Sequence, residues 1–92
     1  MSMDLLVAVD LLDVRLGSEP KACDVQRAHN EVTGVWMLDD YRAEVSPAGS
    51  TGLELRLSSH GRVIHARIFA SSPASVPRIG QSIIEHLTGY RQ

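Results

Sequence analysis

Cys23 and His29 are the first two side chains that could do chemistry together, as a thiol nucleophile and its general base. Both lie in a segment that reads as one helix. At 3.6 residues per turn, a separation of six leaves the two side chains about 120° from a facing position. We therefore expect no contact between them. A lone cysteine on an apolar helix is usually a small core residue, and that is the prediction for Cys23.

Two other spacings match known sites without their context. Ser18 and Lys21 form an S-x-x-K pattern, but the enzymes that use it need a larger scaffold and further motifs. A helix cap explains Ser18 without catalysis. His60 and His65 are spaced like a metal pair, but no third ligand accompanies them. The sequence therefore predicts no catalytic residue, no metal site and no cofactor.

Composition restricts the class of protein. The 92 residues suffice for one domain with a thin margin of stability. A net charge of −2 argues against a general nucleic-acid binder. One cysteine cannot form an intrachain disulfide, no apolar run reaches the ~18–20 residues of a membrane span, and the first residues lack the positive region of a signal peptide. We expect a single-domain cytoplasmic protein that does not insert into membranes.

The apolar pattern predicts helices around a group of strands. Residues 3–16 fit helical spacing and strand alternation alike; a helix is favoured because β-branched residues are few, and the strand alternative stays open. Ser18 and a proline in the first turn predict a helix at about 19–32, and Ser75 with an apolar stripe predicts another at about 76–88. Strands are expected at about 35–38, 41–46, 53–59 and 62–69.

Two-residue turns divide the strands. Asp39-Asp40 either closes a hairpin, with Leu38 opposite Tyr41, or belongs to a longer loop. His60-Gly61 predicts the turn of a second hairpin, because glycine and histidine tolerate a positive φ. A regular register of this hairpin predicts an aliphatic core face, on which Leu53, Leu55 and Leu57 lie opposite Ile68, Ala66 and Ile64, respectively. The polar face then pairs Glu54 with Arg67 and Arg56 with His65.

That polar face is the candidate site. Its basic side chains and one aromatic residue are the predicted partner-binding set, Arg56, Arg62, His65, Arg67 and Phe69. One interpretation is a solvated face that Glu54 partly neutralises. The other is a docking surface for an acidic protein or an RNA backbone, since apolar residues on a charged face often mark a contact.

From Pro47 onward the chain resembles the C-terminal domain of type III secretion needle-length and flagellar hook-length control proteins, over about residues 45–88. The shared pattern is a strand ending in proline, a T-x-L-x-L-x-L-S strand, a short turn, an alternating strand ending in an aromatic residue, and an amphipathic helix. Here these are Val45-Ser-Pro47, Thr51 to Ser58, Arg62 to Phe69 and Val76 to Leu87, with Trp36 ahead of the first strand. The resemblance implies a non-enzymatic contact with the export gate that switches secretion to later substrates.

These observations predict an α+β fold: a small antiparallel sheet of three to four strands with two or three helices packed on one face. The expected function is a protein–protein interaction without catalysis, with an export-gate component as the partner that the resemblance implies. Pairing with a second copy through a sheet edge is also open. The alternative is a small RNA-binding module of α-β-β-β-α order. Nucleic acid is the weaker expectation, since the final helix begins with Arg78 as its one cation.

Overall fold

The computed structural model describes residues 3–89, which form a five-stranded antiparallel sheet and two helices. Chain order is α1 (Leu5–Gly17), β1 (Gln26–Arg27), β2 (Gly34–Leu38), β3 (Tyr41–Ala48), β4 (Gly52–Ser59), β5 (Arg62–Ala70) and α2 (Val76–Leu87). The strands follow one another across the sheet in the same order. The α+β class with an antiparallel sheet is confirmed, with five strands instead of three or four. Neither helix within residues 3–89 is long and apolar enough to cross a membrane.

The first ambiguous segment is helical. Asp4 caps α1, its Oδ1 accepting the Val7 N–H at 3.0 Å. The helix buries a stripe at helical spacing, Leu5, Ala8, Val9, Leu12 and Leu16. Its other sides also carry apolar residues, which is why the sequence fitted two periods at once.

The helix predicted at about 19–32 is wrong. The segment makes a 3-10 turn at Pro20–Ala22 and then the short strand β1, which pairs with Met37 and Trp36. The Asn30 carboxamide oxygen accepts the N–H groups of Val32 and Thr33 at 2.8 and 2.9 Å. This side chain thus satisfies backbone donors that a helix would otherwise use.

The core lies between the sheet and the two helices. Its largest fully buried side chains come from both layers: Trp36, Leu12, Leu53, Leu55, Ile79, Ile83 and Val45. α2 packs over β3 and β4, and α1 packs against α2 and β3. At Gly34, an added Cβ would lie 2.6 Å from Val9 Cγ2, so glycine lets α1 approach β2 closely.

The predicted His60-Gly61 turn is present, and Asp39-Asp40, which the sequence left open between a hairpin and a longer loop, also forms a two-residue turn. Leu38 pairs with Tyr41 across Asp39-Asp40, which resolves that segment as a hairpin. Asp39 has a φ of 56°. In the second hairpin His60 and Gly61 have φ values of 53° and 80°, the positive pair that a type I′ turn requires.

The register predicted for the second hairpin is wrong beyond its turn. A β-bulge opposite Leu57 and Ser58 inserts one extra residue, Ile64, into β5. Phe69 therefore pairs with Leu53, and Ile68 pairs with Glu54. A one-residue slip moves every later side chain to the other face. The predicted core residues of β5 are exposed as a result, and Phe69 is buried.

Gly34→Ala should destabilise the protein by roughly 1–3 kcal/mol, since the new methyl group would overlap the stiff, buried Val9 side chain. Urea unfolding followed by far-UV circular dichroism measures this change. Gly17→Ala is the matched control: its Cβ meets nothing closer than 3.8 Å, and alanine should stabilise the helix by up to about 1 kcal/mol. Equal stability of the Gly34→Ala variant and the wild type would contradict the close packing of α1 on β2.

Candidate interaction site

The bulge in β5 separates the predicted partner-binding residues. Arg56 lies on the outer face of the sheet, the face opposite the helices, because its neighbours Leu55 and Leu57 point into the core. His65 and Arg67 pair with Leu57 and Leu55, so both are on the helix side, and Phe69 is 7% exposed within the core. Arg62 is exposed beside the turn. The five residues do not form one surface.

Charges on the outer face compensate one another. Arg42 Nε lies 2.7 Å from Glu44 Oε2, and Arg56 Nε lies 3.3 Å from Glu54 Oε2. Glu44 and Arg56 are also cross-strand partners. The predicted Glu54–Arg67 pair is wrong, because Glu54 pairs with Ile68 across the strands. The middle of this face therefore has no excess of positive charge to hold an RNA backbone.

β5 carries an exposed aliphatic strip, defined here as Val63, Ile64 and Ile68. These side chains are 52%, 59% and 65% exposed. Phe69 is the one buried residue of the strand. Isolated exposed aliphatic residues are common on proteins, but three on one nine-residue strand are a cluster of the kind that marks contacts.

The same strand lies at the edge of the sheet. Within residues 3–89, β5 pairs with β4 on one side and with no strand on the other. It is nine residues long. The opposite edge strand, β1, has two residues, and both are polar. Short polar edges protect against unwanted strand pairing. β5 is instead long and partly aliphatic, and its protection is limited to its basic side chains and its bulge.

On its helix side, β5 borders a groove against α2. This edge groove holds about 440 Å³ and is lined by Arg67, Phe69, Pro77, Arg78, Gln81 and Ser82. The Arg67 guanidinium lies 4.9 Å from the centre of the Phe69 ring. Two arginines and no acidic residue line the groove. It can therefore accept anionic groups beside an aromatic wall.

A second apolar surface lies on α1. Leu6, Val7, Leu11 and Val14 are all exposed, with Val14 at 73%. Three of them recur at positions i, i+4 and i+7 and so form a stripe on the side away from the core. This stripe was not predicted from the sequence. Its signal was an apolar residue at nearly every position of the segment.

Asp13 is the centre of a polar cluster that joins α1 to β2. Its Oδ1 accepts the Trp36 Nε1–H at 2.8 Å, and the two carboxylate oxygens lie 3.1 and 3.2 Å from His29 Nε2. Arg27 Nε is 3.4 Å from Oδ1. The His29 Nδ1 accepts the Val35 N–H at 3.0 Å, so its Nε2 carries the hydrogen given to Asp13. Both ring nitrogens are thus engaged, and His29 has none free to serve as a base.

The remaining candidates of the sequence have ordinary surroundings. Cys23 is exposed, so its predicted core position is wrong. His60 contacts Asp40 of the neighbouring turn, with Nε2 3.3 Å from Oδ2, while His65 lies on β5. Ser18 follows α1 and donates its hydroxyl hydrogen to the Arg15 carbonyl at 2.8 Å. Within residues 3–89, no cluster of three or more histidine, cysteine or acidic side chains could hold a metal ion.

Asp13→Ala should destabilise the protein by about 1–3 kcal/mol, because the buried Trp36 N–H loses its acceptor. Urea unfolding followed by circular dichroism gives the free energy of unfolding. Asp10→Ala is the matched control on the same helix, at an exposed position, and should change stability by no more than about 0.5 kcal/mol. Similar values for the two variants would show that the cluster contributes nothing specific.

No protein-family model, curated protein or solved structure matches this chain. The resemblance to length-control proteins accordingly depends on the quoted strand and helix pattern alone. The function is inferred from the geometry of β5 and the residues around it.

Proposed function

We propose that this chain is a non-enzymatic protein-interaction domain that binds an extended segment of a partner along the free edge of β5. Such a segment would add a sixth strand to the sheet and form a ladder of backbone hydrogen bonds. One observation carries the proposal: the same strand has two features of a docking edge. β5 has an unpaired edge nine residues long, and it exposes three aliphatic side chains.

Pairing at this edge would remove two unfavourable features at once. An unpaired strand edge presents backbone donors and acceptors that only water satisfies, and exposed aliphatic side chains order water around them. Burying the aliphatic strip against a partner strand would stabilise the complex by about 25 cal/mol per Å² of apolar area. The other edge offers two residues, which is too short for a comparable ladder.

The polar groups around the core support the non-enzymatic part of the proposal, because they are already used in structural contacts. His29, the histidine best placed to form a dyad with a carboxylate, uses both ring nitrogens in structural hydrogen bonds. Asp13 is shared among Trp36, His29 and Arg27. This cluster holds α1 against β2, and it offers no acceptor to a substrate proton.

A role as a switch in type III secretion is a narrower form of the same proposal. Its support is the order of β3 with Pro47, β4, β5 and α2, which follows the quoted pattern of the length-control proteins. In that case the added strand would belong to an export-gate component. Binding of the purified cytoplasmic domain of an export gate, measured by calorimetry, tests this narrower form.

RNA binding has less support from the geometry. The arginines of the outer face are paired with glutamates, and the whole chain is net negative. Phosphate contacts would make affinity fall steeply with salt. A salt titration with a short RNA duplex distinguishes this alternative, because absence of binding at low salt removes it.

Ile68→Lys should abolish binding of extended peptides with little change in stability, because the side chain is exposed and sits beside Glu54. The measurement begins with selection of displayed ten-residue random peptides on the wild-type protein. Binding of the selected peptides to each variant is then compared by calorimetry. Hydrogen exchange of the β5 amides should slow when a selected peptide is present.

Val14→Lys is the matched control, since Val14 is as exposed as Ile68 but lies on α1. We expect this variant to bind the selected peptides as the wild type does. Peptides that bind the Ile68→Lys variant equally well would contradict a site on β5. Loss of binding in the Val14→Lys variant would show that the peptides bind the apolar stripe of α1 instead.

A further inference from the structure

We propose that the strand which docks on β5 alternates aliphatic and acidic side chains, with its aliphatic residues on the outer face and its acidic residues toward the edge groove. This inference rests on the proposed function and adds the chemistry of the partner. It follows from the different surroundings of the two sides of β5.

The outer side of the edge is apolar. Ile64 and Ile68 are four residues apart, and alternation along a strand places them on the same side. Ala66 lies between them and is also exposed. A strand added beside β5 would place every second side chain next to this row, where aliphatic residues bury the most apolar area.

The helix side of the edge is cationic. Arg67 and His65 alternate with the apolar row, and Arg78 of α2 lines the same groove as Arg67. Within residues 3–89, Arg67 stacks on Phe69 and neither it nor Arg78 forms an ion pair. The nearest acid on that part of α2, Glu85, accepts a hydrogen bond from Gln81 at 2.7 Å. Carboxylates of an incoming strand would therefore meet arginines whose charge is uncompensated.

The charges of β5 disfavour a second copy of the chain as the occupant. The strand contains Arg62, His65 and Arg67 and no acidic residue. Every charged side chain that pairing of β5 with β5 brought to the junction would be basic, whatever the register. Like charges opposite one another destabilise a strand pair. A partner strand with carboxylates at alternate positions would instead place opposite charges next to each other.

The test uses a nine-residue peptide of alternating isoleucine and glutamate, capped at both ends, and a second peptide with lysine in place of glutamate. The wild-type 92-residue chain should bind the glutamate peptide at least about tenfold more tightly than the lysine peptide, with affinity falling as salt rises. Arg67→Gln should reduce that preference, and Arg67→Glu should reverse it. A glutamate peptide methylated on alternate backbone nitrogens controls for the hydrogen-bond ladder and should not bind.

The outcomes separate the two proposals. If both peptides bind with equal affinity and Ile68→Lys abolishes both, β5 is a docking edge and the inferred acidic pattern is overturned. If neither peptide binds and selected peptides do not depend on Ile68, the proposed function itself fails. Concentration-dependent dimerisation that Ile68→Lys abolishes would assign the edge to a second copy. Competition of an RNA duplex for an Arg67-dependent site would assign the cationic side to nucleic acid.

Discussion

A single inserted residue in β5 determines what each side of the sheet edge presents. The bulge at Ile64 turns Phe69 toward the core opposite Leu53 and turns Ile68 outward. Burial explains why this register is stable. The helices cover β5 at one position only, the position opposite Leu53. The bulge places Phe69, the largest apolar side chain of the strand, at that position. In a regular register an isoleucine would fill that position, and the aromatic ring would be exposed.

The same register separates two kinds of chemistry along one strand. The outer side is aliphatic, and the helix side joins Arg67 and Arg78 around the edge groove. The outer face beyond β5 adds no net cationic charge, because Arg42 and Arg56 are each paired with a glutamate. In the proposed complex, charged contacts would therefore form at the groove, and apolar contacts would form on the opposite side.

Local signals in the sequence predicted the hairpin turns and α2, whereas non-local contacts decided the rest. Asp39-Asp40 and His60-Gly61 specify their turns through their own backbone preferences. The segment at 19–32 has helical spacing, but pairing with β2 and the Asn30 side chain override it. The bulge places Phe69 opposite Leu53, in the core, and the turn residues of the hairpin do not signal the extra residue. The sequence prediction placed His65, Arg67 and Phe69 on the same face as Arg56, whereas the bulge turns these three residues to the helix side.

The basic residues of β5 would limit pairing between copies of the chain at its free edge. A long apolar edge invites pairing with other copies, and charged side chains on the strand oppose it. Here every charged residue of the strand is basic, so the repulsion acts between copies and is relieved by a strand with carboxylates. In the proposed complex, the positive charges of Arg62 and Arg67 would oppose self-pairing and would favour an acidic partner. Under the proposal, resistance to self-pairing and preference for an acidic partner would have a common physical origin on this strand.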